Sequence, residues 1–200
     1  MKRGKIVTFS IVLLNILAVI ANLVIGGGSF FGLFLSGGGY VKEYGEASFD
    51  VVIRQGQWWR LLTCGYLHMG IIHLAGNMVA LKIVGDKVEE KIGPGKMLLF
   101  YNLGTLITAF LWNLIFRNGS MVGASLGIFV LLGMACVGCW KGQEKQRVCF
   151  SVAEQRYLII YTIVGCFLGI GTIAVHAIGF VIGLLMGFVM LKINMRGMTE

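Results

Sequence analysis

The chain has 200 residues, of which 57% are hydrophobic and only 13% charged, with a mean hydropathy of +0.84. Those figures exclude a water-soluble globular domain. Thirty glycines against one proline suit closely packed membrane helices better than a loop-rich soluble fold. The net charge of +8 raises nucleic acid as a partner, but its distribution along the chain assigns it to membrane topology instead.

Charge-free apolar blocks recur at about the length needed to cross ~30 Å of hydrocarbon at ~1.5 Å per residue. Lys2, Arg3 and Lys5 precede the first, residues 6–25, which is too long for a signal-peptide core and reads as a retained span. A long connection over 26–66 holds an apolar island at 30–35 between two glycine clusters. The island is too short to cross and is expected at the interface, with Trp58 and Trp59 in the aromatic belt. The second span covers 68–84, and a charged turn is expected at 85–96. Spans at 97–116, 123–140, 157–171 and 174–191 follow, with a basic loop at 141–156. The reading is an all-α polytopic membrane protein, a single domain over 1–200 with six transmembrane helices.

Six spans put both termini on one side. That side carries thirteen of the seventeen Lys and Arg, the other only Lys42, Arg54, Arg60 and Arg117. The positive-inside rule makes both termini cytoplasmic. Nucleic acid is not expected as a partner; the lipid bilayer is. A multi-pass protein of the plasma membrane is the expected location. Cys136 and Cys139 form a C-x-x-C, but no histidine or second pair lies near them in sequence, so they read as packing residues.

With that topology the second, fourth and sixth spans all run inward. They place His68, His73 and Asn77, then Ser125, then His176, in their first turns. Polar groups are costly in a bilayer, so their meeting at one depth points to a site. His73 and Asn77 are four apart and share a helix face. His176, Gly179 and Gly183 share another, and the small residues let a neighbouring helix approach. Ser125 near a helix start, with His176 as base, suggests nucleophilic catalysis. No Asp or Glu occurs between Glu90 and Glu144 or between Glu154 and Glu200, so a Ser–His dyad is favoured over a triad. Glu43, Glu46 and Asp50 stay open as outer carboxylates. A zinc site from His68, His73 and His176 is the rival, but its spacing matches no known zinc pattern and no carboxylate lies near. No metal and no cofactor are expected.

These residues resemble rhomboid intramembrane serine proteases. The resemblance is carried by GQWWRLLTCGYLHMGIIHLAGN at 56–77, GDKVEEKIG at 85–93, GAS at 123–125 and HAIGFVIG at 176–183. It implies a rhomboid-like bundle that cleaves transmembrane protein substrates in or near the outer half of the bilayer. It implies Ser125 as nucleophile and His176 as base. The oxyanion would be stabilised by His73, Asn77 and the Ser125 N–H. Gly123, Phe129 and Gly179 would be supporting residues, Phe129 packing on the histidine. Trp59–Arg60 and Glu89 would match structural positions, and a mobile fifth span would admit substrate.

One residue departs from the family's G-x-S-G: Leu126 follows the serine. An added branched side chain in a packed site typically costs ~1–3 kcal/mol. It supports an alternative, a catalytically impaired pseudoprotease that binds membrane clients. A small transporter would need ionisable groups along a midplane path, and the polar groups cluster at one outer depth instead. The chain reads as a minimal enzyme that recognises substrates through its own spans.

Overall fold

The structure, a computed structural model, describes residues 5–25, 45–141, 147–167 and 169–196. The apolar island at 30–35, its flanking glycines, Lys2, Arg3, Lys42, Glu43 and Lys145 lie outside the described residues. Six long helices dominate: α1 (Ile6–Ile25), α2 (Ile71–Ile92), α3 (Pro94–Ile115), α4 (Ser125–Lys141), α5 (Val152–Cys166) and α6 (Ile170–Arg196). Among the described residues, two stretches are long and apolar enough to cross a membrane, α3 and Ile170–Lys192 within α6. A third arises if Arg60–Tyr66 and α2, bent by 92° to each other, count as one span.

Helix ends differ from the hydropathy blocks for local reasons. The charged stretch after Val84 is helix rather than turn, and α2 runs on to Ile92. Its Lys and Glu residues are good helix formers, and Lys82 pairs with Asp86 four residues on. The chain then reverses at Gly93 alone, whose φ of 84° glycine adopts without strain, and Pro94 opens α3 where its missing N–H costs nothing. Helix α5 starts at Val152, five residues before the expected span, because Ser151 and Glu154 form a reciprocal capping box. Burial pushes the Glu154 carboxyl up, but the Ser151 N–H and Lys87 outweigh it and hold it below its ordinary value. Lys87 Nζ lies 3.1 Å from that carboxylate, tying the C-terminal part of α2 to the start of α5. The expected border between the last two spans, at 171–174, falls earlier. Helix α5 ends at Cys166, and α6 is under way by Ile170.

Helix α4 is the central element: Ile128, Val130, Leu131 and Ala135 have no exposed surface. It packs along α6 through small residues. A Cβ at Gly183 would collide with the Val130 carbonyl, and one at Gly179 would lie 3.0 Å from the Leu126 carbonyl. The small-residue stripe of α6 therefore faces α4, so the two backbones nearly touch.

Helix α1 buries Thr8, Ile11, Asn15 and Val19 and leaves Phe9, Leu13, Leu17 and Ile20 exposed. Its first turn is capped from far along the chain. The buried Glu89 carboxylate accepts the N–H of Val7 (3.0 Å), the N–H of Thr8 (2.8 Å) and the Thr8 hydroxyl (2.7 Å). A carboxylate at a helix N-terminus meets both unpaired donors and the positive end of the dipole.

Hydrogen bonds organise the described part of the connection between α1 and α2. Strand β1 (Ala47–Ser48) pairs antiparallel with β2 (Ser120–Met121), Ala47 opposite Met121. A π-helical turn, Asp50–Arg54, and a helical turn, Arg60–Thr63, follow. Arg60 is buried and donates from Nε to Gln57 Oε1 (2.7 Å) and from an η nitrogen to the Glu46 carbonyl (3.0 Å). Trp58 and Trp59 are exposed.

Candidate active site

The approach to Ser125 is built by Gly123. Its N–H donates to the Cys64 carbonyl at 2.9 Å, and its φ of 134° is a conformation that side chains rarely adopt. Ser125 is then the first residue of α4 and is 5% exposed. The first helical bond runs from the Ile128 N–H to the Ala124 carbonyl, which leaves the N–H groups of the first turn unpaired in the helix.

The space over Gly123 is defined by what a side chain there would meet. A Cβ would lie 2.9 Å from His73 Nε2 and 3.5 Å from Asn77 Nδ2. Two side-chain nitrogens of α2 thus converge on a point beside the serine that only glycine leaves empty. An anionic oxygen needs donors about that far away.

His176 comes from the first turns of α6 and is 7% exposed. Its ring stacks on Phe129, centroids 4.0 Å apart and planes at 12°. Phe129 lies four residues after Ser125, on the same face of α4. It is the shared neighbour that sets serine and imidazole on one helix interface. No hydrogen bond joins Ser125 to His176, and His176 Nδ1 is buried without a partner among the described residues. Such bonds commonly tighten only when substrate is bound. The two described carboxylates of the α1–α2 connection are engaged elsewhere: Glu46 accepts from Ser120 Oγ, and Asp50 pairs with Arg54.

His68 lies before α2 rather than in its first turn, because the helix begins only at Ile71. It is 1% exposed and belongs to the site's framework. Its Nε2 is 2.8 Å from Asn77 Nδ2 and accepts the Ala124 N–H at 3.4 Å, while its ring meets His73 edge-on at 4.9 Å. With Nε2 so engaged, His68 has no free Nε2 lone pair for zinc, and no group of three metal-ligating side chains forms among the described residues.

Tyr161 of α5 joins the same site, and Tyr157, one turn earlier, bonds only the α2 backbone outside it. Tyr161 Oη donates to Asn77 Oδ1 at 2.6 Å, and Tyr157 Oη to the Gly76 carbonyl at 2.9 Å. Tyr161 also stacks on Phe129. Sequence reasoning gave neither tyrosine a role. Their signal was present, since two hydroxyls one turn apart in an apolar run must find partners.

Leu126 does not enter this space. It is 1% exposed and packs in an apolar cluster with Val52, Leu61, Trp112, Met121 and Val175, under the outer connection.

Apolar helices with polar side chains gathered at one end of the bundle define an integral membrane protein with an enzyme-like site. Residues 55–193 match the family model described as the rhomboid domain, and the chain belongs to the rhomboid family. Among curated relatives, it is 30% identical over 159 residues to RHOMBOID-like protein 7 of Arabidopsis thaliana, covering 76% of this chain and 49% of that protein. It is 44% identical over 108 residues to rhomboid protease GluP of Bacillus subtilis (strain 168), covering 52% and 21%. A third, inactive RHOMBOID-like protein 8 of Arabidopsis thaliana, is 28% identical over 93 residues, covering 46% and 26%. The chain spans half or less of the length of these three relatives.

Proposed function

We propose that the protein is an intramembrane serine endopeptidase that hydrolyses peptide bonds of single-pass membrane proteins in or near the outer half of the bilayer. All six helices span the membrane in this reading, with both termini cytoplasmic, and the plasma membrane is the proposed location. Ser125 Oγ attacks the scissile carbonyl carbon while His176 takes the hydroxyl proton. The developing oxyanion is held by His73 Nε2, Asn77 Nδ2 and the Ser125 N–H. Collapse of the tetrahedral intermediate breaks the C–N bond, and His176 returns the proton to the leaving amine. Water then hydrolyses the acyl-enzyme by the same steps.

The observation that carries the reading is the gap over Gly123, within hydrogen-bond reach of His73 Nε2 and close to Asn77 Nδ2, beside a serine whose helix face also holds the partner of His176. Each such donor is typically worth about 2.7–4 kcal/mol in the transition state. Phe129 would keep the imidazole in one plane while it moves the proton. The test is cleavage of a model transmembrane substrate by purified protein, with covalent labelling by a fluorophosphonate. Both should be lost in Ser125→Ala and in His176→Ala, and unchanged cleavage in Ser125→Ala overturns the assignment.

The alternative, an impaired protein that binds membrane clients, rests on Leu126 alone. Its side chain lies in the core cluster, which favours the protease.

A further inference from the structure

We propose that Tyr161 is a positioning residue whose hydroxyl holds the Asn77 amide in the orientation that His68 dictates, so that docking of α5 and completion of the anion pocket are one event. The proposal rests on the reading of Asn77 as an oxyanion donor.

Two features of the geometry carry it. The first is how α5 is held. Among its described residues only Leu158 is buried, while Ile159, Ile160, Ile163 and Val164 are exposed. An element with so little buried surface opens more easily than the α4–α6 pair. Directional contacts fasten it to α2 in sequence along its length: Glu154 to Lys87, Tyr157 to the Gly76 carbonyl, Tyr161 to Asn77 Oδ1. The last of these lands on a site side chain rather than on backbone.

The second feature is the direction of the hydrogen-bond chain. The Ala124 N–H can only donate, so His68 Nε2 accepts. Asn77 must then turn its NH2 group toward His68, which leaves Oδ1 facing Tyr161. One hydrogen of Nδ2 serves His68, and the other is the one available to the space over Gly123. Rotation of this amide by half a turn would put its carbonyl oxygen where a donor is needed. His68 sets the sense of the amide, and Tyr161 Oη, donating to Oδ1, holds it there against rotation. Tyr157 serves as the internal control, since it fastens the same helix one turn away without touching Asn77.

The role predicts an effect on the transition state that a mere fastening of α5 would not produce. The experiment measures kcat and KM of the full chain on a transmembrane substrate for wild type, Ser125→Ala, Tyr161→Phe and Tyr157→Phe. Side-chain amide NMR of asparagine-15N protein is recorded alongside, with the Asn77 resonances assigned by their loss in Asn77→Asp. In Tyr161→Phe, kcat should fall about tenfold, the usual order for losing one hydrogen bond to a polar group, without a rise in KM. The Asn77 amide resonances should shift or broaden, and Tyr157→Phe should do neither. A fall in kcat of less than threefold in Tyr161→Phe, or an equal fall in both variants, overturns the proposal. So do unchanged Asn77 resonances. The amide spectrum reads the hydrogen bond without turnover, so failure here is distinct from a failure of the protease reading, which Ser125→Ala reports.

Discussion

Leu126→Gly is the substitution that restores the family's G-x-S-G, and it separates two accounts of the residue. If the leucine obstructs the site, removing it should raise turnover. If it is a core residue, removing it should destabilise the protein and leave the chemistry no better. The structure decides for the second. Leu126 is 1% exposed, and its apolar cluster draws Leu61, Trp112 and Val175 from the α1–α2 connection, α3 and α6. Truncating a buried leucine typically costs about 2–5 kcal/mol, most where the surroundings cannot collapse. Three elements converge on this cluster and α4 is fixed against α6 by backbone contact, so collapse is hindered. Glycine in a helix adds up to about 1 kcal/mol. The expected loss is therefore about 3–5 kcal/mol, whereas Leu126→Met should lose under about 1.5 kcal/mol. Reversible unfolding in micelles measures the stability, and cleavage per folded molecule, counted by fluorophosphonate labelling, measures the chemistry. A several-fold gain in turnover with stability unchanged would refute the core assignment and revive the pseudoprotease.

Gly123→Ala should abolish cleavage while the fold survives. Its Cβ would sit 2.7 Å from His73 Cε1, inside the space proposed for the oxyanion, on a backbone of φ 134° that costs about 1–3 kcal/mol for alanine. A fall in kcat/KM of about a hundredfold or more is expected, and activity within tenfold of wild type would show that the space is not used. Glu89→Gln keeps the shape but removes the charge that receives three donors from α1. Stability in micelles should drop by about 2–3 kcal/mol, and a loss under about 0.5 kcal/mol would mean that the carboxylate is not the cap.

The six long helices were legible because hydropathy marks apolar blocks, but their ends were not. Lys87, Glu89, Glu90 and Lys91 look like loop to a hydropathy count and are helix, because charged residues with long straight stems propagate helices well. The early start of α5 lay in a capping box, which apolar periodicity does not register. Ser125 and His176 were expected together because rare polar groups in apolar spans share a depth, whereas Phe129 was expected beside the histidine only from the family resemblance; the structure stacks its ring on His176. His68 sits just outside its helix, so face arithmetic could not join it to Asn77 and Ala124. The three hydrogen bonds from Val7 and Thr8 of α1 to Glu89 join positions 81 and 82 apart, and no local pattern encodes such a pairing. The site's most telling feature, the emptiness over Gly123, is a backbone angle and could not be read from the letters GAS.

The grip of Glu89 on α1 also bears on the order of assembly. The first turn of α1 emerges from synthesis with its N–H groups unpaired, and their acceptor lies at the far end of α2. Until Glu89 arrives, α1 is a free apolar helix bearing the buried-type polar groups Thr8 and Asn15. Once α2 is complete, three hydrogen bonds and the packing of Ile11 fix α1 against it. The carboxylate thus makes the docking of α1 depend on α2: the first helix is fixed only after the helix that carries Glu89 has been built.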